Sequence, residues 1–150
     1  MSGTENIHGS AIALRGSAVL VRGPARCGKS ALCLSALRRG AALGLEPRLV
    51  ADDRVLVRRE GAAVILSAPP QLKGLIEISG VGILTEPAID SAPLTLVADL
   101  CPPEAIERYP DEREAILAGV PIRLVRLPMR DAAFGADVLV SLALALQPPG

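Results

Sequence analysis

The segment Gly23-Pro-Ala-Arg-Cys-Gly-Lys-Ser30 constrains this chain more than any other stretch. It fits the pattern G-x-x-x-x-G-K-[ST] at every fixed position. Each fixed residue has a physical reason. Glycine lets the backbone curl until successive N–H groups point at one anion. The Lys29 ammonium brings a compact positive charge to the β and γ phosphates of a nucleotide. The Ser30 hydroxyl is a hard-oxygen ligand for Mg²⁺. A strand must enter such a loop, and a helix must leave it with its positive dipole end aimed at the phosphates. Gly23, Pro24, Ala25, Arg26, Cys27, Gly28, Lys29 and Ser30 are therefore the candidates for nucleotide binding.

The flanking sequence supplies both elements. Ile7–Leu14 is apolar and ends at Arg15-Gly16, and Ala18–Arg22 is β-rich and stops at Gly23-Pro24. The pair predicts a hairpin whose second strand enters the loop. From Lys29 to Arg39 there is no Gly or Pro, which predicts a helix with Gly40 as terminator and Arg38-Arg39 on its C-terminal dipole. Residues Met1–Asn6 look like a loose start. Further strands are expected at Arg48–Ala51, at Val55–Arg59 and Ala62–Ser67 as a hairpin around Glu60-Gly61, at Thr95–Leu100 and at Ile122–Leu127. Leu72–Ile78 is compatible with helix or strand, Glu104–Arg113 is mostly helix-compatible around Pro110, and Ala136–Gln147 reads as a closing helix. Many short strands with few helices predict an α/β domain with a mixed sheet.

Composition removes several function classes. Lys plus Arg equals Asp plus Glu, at 16 each, which leaves no basic footprint for duplex nucleic acid. Tyr109 and Phe134 are the only aromatics, too few for base-stacking platforms. The longest apolar run, Val138 to Leu146, contains a serine and falls far short of the roughly 20 residues that span a bilayer. The polar N-terminus has no signal-peptide pattern. Cys27, Cys33 and Cys101 are odd in number and lack metal-ligand spacing, which suits reduced thiols in the cytoplasm. The length of 150 residues suits one domain.

Two further features bear on chemistry. Asp52-Asp53 closes a short apolar strand, where P-loop enzymes place an acid that holds metal or takes a proton; the same pair can also serve as a turn. His8 is the only histidine and stands at a strand start, where structural and functional roles are both open.

The order of these motifs resembles the catalytic domain of the HPr kinase/phosphorylase family. The resemblance rests on Ile7-His8-Gly9-Ser10-Ala11 before the loop, on the loop itself, on Arg38-Arg39-Gly40 after its helix, on Leu49-Val50-Ala51-Asp52-Asp53, and on Ile76-Glu77-Ile78-Ser79-Gly80-Val81-Gly82-Ile83. It runs from about residue 7 to residue 84, and the chain is similar to the short members that consist of the kinase domain alone. The resemblance implies the P-loop-containing α/β domain of the HPr kinase / phosphoenolpyruvate carboxykinase type. It also implies an ATP- and Mg²⁺-dependent serine kinase acting on HPr or an HPr-like phosphocarrier protein of a bacterial phosphotransferase system, and a ring-like homo-oligomer, hexameric in long members. Carried over by position, Lys29 binds phosphate, Ser30 and Glu77 ligate Mg²⁺, Asp53 is the acid/base with Asp52 beside it, His8 supports that centre, and Arg108 is a catalytic arginine.

Two departures from the family pattern stand out. Ser79 replaces the usual arginine of the later signature. Pro128-Met129-Arg130-Asp131-Ala132-Ala133 keeps at most one arginine of a Pro-Val-Arg-Pro-Gly-Arg-like loop used in dephosphorylation, so a kinase with little phosphorolysis is expected. A nucleotide-sensing module without transfer and a small-molecule P-loop kinase are the rival readings.

Overall fold

Apolar strands with few helices demand a sheet that buries both faces, and the chain builds one. The computed structural model describes residues 3–145. In chain order the elements are β1 (Glu5–His8), β2 (Ser10–Leu14), β3 (Ser17–Arg22), α1 (Lys29–Ala42), β4 (Arg48–Ala51), β5 (Arg54–Glu60), β6 (Ala63–Ser67), β7 (Leu75–Ile78), β8 (Gly82–Thr85), β9 (Ala92–Cys101), β10 (Glu114–Leu117), β11 (Val120–Pro128) and α2 (Ala132–Ala145). The main sheet runs β1-β5-β6-β9-β3-β2-β4, with β11 and then β10 added beside β9. The strand β9 is parallel to both β3 and β11, whereas β2 is antiparallel to β3 and β4, so the sheet is mixed.

Period-2 alternation sorts the side chains between two cores. Ile12, Leu14, Val19, Val21, Leu96 and Leu100 face α1 and α2. Ala11, Ala13, Ala18, Leu20 and Val97 face the curled outer strands, where they meet Val55, Val57, Leu66 and Leu124. Ala18 pairs with Leu94 but Val19 pairs with Leu96, so Thr95 is an extra residue that resets the alternation along β9. Its hydroxyl donates to the Ala18 carbonyl at 3.3 Å.

Several elements depart from the sequence expectation. The helix α1 runs through Gly40 to Ala42, and Gly44, at φ 69°, ends it. Gly40 is small for a packing reason: a Cβ there would lie 2.9 Å from Leu14 Cδ2 and 3.4 Å from Pro47 Cβ. Glu5 and Asn6 are not loose, because they pair with Val57 and Leu56. The apolar stretch from Ile7 to Leu14 is two strands broken at Gly9. Segment 104–113 forms no helix; Pro103–Ala105 makes one 3-10 turn and the rest is irregular. Leu72–Ile78 resolves into a 3-10 turn at Pro70–Leu72 and then β7, paired with β8 in a small separate sheet. The closing helix begins earlier, at Ala132, and its expected end at Gln147 lies outside the described residues.

The two helices pack where α2 has no side chain. A Cβ on Gly135 would come 2.6 Å from Leu32 Cδ1, with Leu32 Cγ at 3.5 Å. Gly135→Val therefore overpacks the contact that seats α1, and a stability loss of about 1–3 kcal/mol is expected in urea denaturation.

Candidate functional site

The loop between β3 and α1 is shaped by residues that tolerate a left-handed backbone. Arg26 has φ 63° and Gly28 has φ 97°. A Cβ on Gly23 would sit 2.6 Å from Cys27 Sγ, and one on Gly28 would meet the Arg130 backbone nitrogen at 3.4 Å. Gly23 is thus required by space, whereas Gly28 is required by its left-handed conformation, a Cβ there making only ordinary contacts. The helix α1 starts with neither a side-chain cap nor an acidic residue in its first turn. Its first N–H groups are therefore directed at the loop mouth, as anion binding requires. Lys29 is buried and folds back over the loop, donating to the carbonyls of Gly23 at 3.0 Å and Pro24 at 2.9 Å. From behind, the Arg130 N–H donates to the Cys27 carbonyl at 3.0 Å and the Met129 N–H to the Cys101 carbonyl at 2.9 Å. The segment between β11 and α2 is a brace for the loop.

Asp52 joins the loop to the sheet. Its Oδ1 accepts the hydroxyls of Ser10 and Ser30, each at 2.7 Å. Its Oδ2 accepts the Glu77 N–H at 3.1 Å. At 5% exposure this is a buried carboxylate supplied with three donors. The Cys33 thiol is pushed far above its ordinary range, chiefly by its own full burial and further by the Asp52 charge.

Asp53 points the other way. Its φ of 69° belongs to the left-handed region, which Asp enters more readily than most residues. Its side chain is 71% exposed, and Oδ1 lies 3.5 Å from His8 Nε2. Gly9 sets this contact, since its N–H donates to the Asp53 carbonyl at 3.1 Å and a Cβ there would lie 3.1 Å from the Val21 carbonyl oxygen. His8 and Ser10 flank that pivot and reach Asp53 and Asp52 respectively.

The other expected site residues fall in two groups. Ser30 and Glu77 both meet Asp52, Ser30 through its hydroxyl and Glu77 through its backbone, with the Glu77 carboxylate exposed. Among the described residues no group of three or more His, Cys, Asp or Glu side chains forms a metal cage. The Ser30 hydroxyl and the Glu77 carboxylate are hard oxygens of the kind that Mg²⁺ takes together with substrate phosphates. Arg108 is not brought against His8 or Asp53; it is exposed and lies 5.6 Å from the centre of the Tyr109 ring. The residue that sequence reasoning missed is Ser10. A serine in an apolar strand carries no signal of its own, and only the pairing of β2 with β4 places it on Asp52.

Two supports complete the frame. Arg22, just before the loop, makes a bidentate pair with Asp99 of β9, at 2.7 and 2.9 Å. Arg38 of α1 makes one with Glu86, both bonds at 2.7 Å, and holds its carboxyl below the usual range. Among the described residues no helix is long and apolar enough to cross a membrane.

Fold and site together define a P-loop α/β protein in which the phosphate loop is tied to an Asp-Asp turn. A family model described as the HPr Serine kinase C-terminal domain matches residues 1–145, and the chain belongs to this family. Among its relatives, an HPr kinase/phosphorylase of Limosilactobacillus reuteri is 30% identical over 152 residues, covering 93% of this chain and 46% of that protein. One from Peptoclostridium acidaminophilum is 42% identical over 82 residues, covering 54% of this chain and 25% of its own length. The chain spans about half the length, or less, of the curated relatives it matches. The solved structure of the Hpr(Ser) kinase/phosphatase from Coxiella burnetii superposes with a TM-score of 0.79 at 25% identity, covering 94% of this chain and 97% of that one.

The two neighbouring aspartates should behave oppositely on substitution. Asp52→Ala strands three donors in a buried site, and a loss of about 2–3 kcal/mol is expected in urea denaturation. Asp53→Asn keeps a residue that tolerates the left-handed backbone and should stay within about 0.5 kcal/mol.

Proposed function

We propose that this chain is an ATP-dependent serine kinase that phosphorylates HPr or an HPr-like phosphocarrier protein of a bacterial phosphotransferase system. The observation that carries the reading is the Asp52-Asp53 turn. One carboxylate is buried on the Ser30 hydroxyl of the phosphate loop, and the next is exposed against His8. A phosphate site and a solvent-facing base are thereby held a single residue apart.

In this reading Lys29 and the amides of Gly23–Ser30 hold the β and γ phosphates of ATP. The close quarters of Gly23 and the left-handed backbone of Gly28 fit that role. Ser30 and Glu77 would hold Mg²⁺, which when bound would supply positive charge beside the phosphates. The carrier's serine oxygen forms a bond to the γ phosphorus as the bond to the ADP oxygen breaks, and Asp53 takes the serine proton. His8 orients Asp53. Arg108 belongs to the connection that leaves the C-terminal end of β9, and β9 is parallel to the strand entering the loop, so it is available to approach from that side. Val81 and Ile83 are 67% and 66% exposed on the β7–β8 hairpin, with Ile83 directly across from Glu77. Apolar surface beside the site favours a protein acceptor over a small metabolite. We take the described residues as one kinase domain, acting in the cytoplasm as part of a homo-oligomer.

The direct test offers radiolabelled ATP and Mg²⁺ with a panel of phosphocarrier proteins. Label on a carrier serine is expected, and Asp53→Asn should lower transfer at least about 100-fold, since general-base catalysis typically supplies a factor of that order, with ATP affinity retained. Label on a metabolite alone, or ATP binding without any transfer, would refute the assignment.

Direction follows from the same surroundings. Phosphorolysis brings inorganic phosphate against phosphoserine, and the two anions need cations between them. Arg126 is already paired with Glu112 at 2.8 Å. Arg130 is followed by Asp131, whose carboxylate accepts the Phe134 N–H at 3.4 Å at the start of α2. Incubation of the phosphoserine carrier with enzyme, Mg²⁺ and phosphate should release pyrophosphate far more slowly than the forward reaction proceeds. Comparable rates would show that another arginine supplies the charge.

A further inference from the structure

We propose that Ser10 is a positioning residue for the metal side of the site: its hydroxyl fixes the Asp52 carboxylate so that Oδ1 faces Ser30. The inference rests on the kinase reading above and adds a residue to it.

A carboxylate on a short side chain has a broad terminal torsion, so one hydrogen bond does not fix its orientation. Asp52 is fixed from two strands and a helix. Ser10, only 1% exposed on β2, and Ser30 on α1 place both their hydroxyl protons on Oδ1 at 2.7 Å, while the β7 amide of Glu77 takes Oδ2. Each hydroxyl has one proton to give. With both donated to Asp52, the remaining lone pairs of Ser30 are directed away from the carboxylate. That is the orientation in which the oxygen can serve a hard cation. Removing the Ser10 hydroxyl leaves Oδ1 with Ser30 alone as donor, and Ser30 would then have to hold the carboxylate as well as be held by it. Ser10 makes no contact with the Asp53 carboxylate, whose partner is His8. Its influence should therefore fall on metal-dependent nucleotide binding and leave proton transfer alone.

The experiment is a Mg²⁺ titration of fluorescent ATP-analogue binding to the unaltered chain, Ser10→Ala, Ser10→Cys and Ser10→Thr, with thermal unfolding of each. Loss of a group bonded to a metal ligand typically weakens metal affinity 10–100-fold; Ser10 acts on Ser30 through Asp52, so Ser10→Ala should raise the Mg²⁺ midpoint about 10-fold, the low end of that range. Metal-free binding of the analogue should change less than about twofold, since it depends on Lys29 and the loop amides. Ser10→Thr should restore the midpoint and Ser10→Cys, a weak donor of similar size, should fall between. A lowered melting temperature with an unmoved midpoint would make Ser10 structural only and overturn the inference, as would Ser10→Thr failing as badly as Ser10→Ala. If the unaltered chain shows no Mg²⁺-dependent binding, the kinase reading falls and this inference with it; normal behaviour there with an unshifted Ser10→Ala midpoint removes this inference alone.

Discussion

A charge buried among apolar strands must be surrounded by donors, and the Asp52 carboxylate imposes that demand on the rest of this structure. Desolvating an ionised carboxylate is strongly unfavourable unless its oxygens are hydrogen-bonded. Asp52 meets the requirement by drawing three donors from three elements: Ser10 from β2, Ser30 from α1 and the Glu77 amide from β7. The phosphate-loop helix, the central sheet and the small β7–β8 sheet are thereby registered against one another at a single atom group. Arg38 repeats the tie between α1 and the segment following β8 through Glu86, whose carboxylate is buried while the guanidinium stays largely exposed. Asp52 differs in meeting three elements at once.

The loop is held from its other side by backbone. Gly23 leaves space that Cys27 fills, and the Arg130 N–H closes on the Cys27 carbonyl. Because Arg130 stands two residues before α2, the packing of α2 on α1 and the brace behind the loop are mechanically one feature. Gly135 allows that packing by leaving room for Leu32. A phosphate nest must be rigid before its ligand arrives if its dipoles are to act without reorganising. Here rigidity comes from helix packing on one side and the buried carboxylate on the other.

Much of this was legible in the sequence, for identifiable reasons. The loop pattern has a mechanism at each fixed position, and Arg15-Gly16 and Gly23-Pro24 punctuate the hairpin that enters it, so β2, β3 and the start of α1 were readable. Gly40 misled because a glycine after a basic pair usually ends a helix, whereas this one is small to admit Leu14 and Pro47. The strand β1 was hidden because it is an edge strand with exposed side chains, held by backbone pairing that composition does not encode. The helix-compatible composition of 104–113 was overridden by prolines at 102, 103 and 110, which remove donors and restrict the residues before them. Ser10 was unreadable for a different reason: its partner is 42 residues away and its neighbours are all apolar. The sequence brought His8, Asp52, Asp53, Lys29, Ser30 and Glu77 forward as candidates, and the structure sets His8, Ser30 and Glu77 on the Asp52-Asp53 turn, with Lys29 folded over the phosphate loop and Arg108 apart.

That turn explains why two identical residues in succession can carry unlike assignments. An extended strand would also send Asp52 and Asp53 to opposite faces, but both would remain in the sheet. The left-handed φ of Asp53 instead ends β4, and the Arg54 N–H closes back on the Asp52 carbonyl at 2.8 Å before β5 begins. The chain therefore turns between the two carboxylates. The first stays in the dry interior with its protons supplied by serines, which suits a fixed anion. The second stands in solvent with an imidazole as its neighbour, which is the access that the proposed proton transfer would need. Gly9 makes the same division on the facing strand, sending Ser10 inward and His8 outward. A single pair of backbone pivots, Gly9 against Asp53, thus separates the buried carboxylate and its serine donors from the exposed carboxylate and its imidazole.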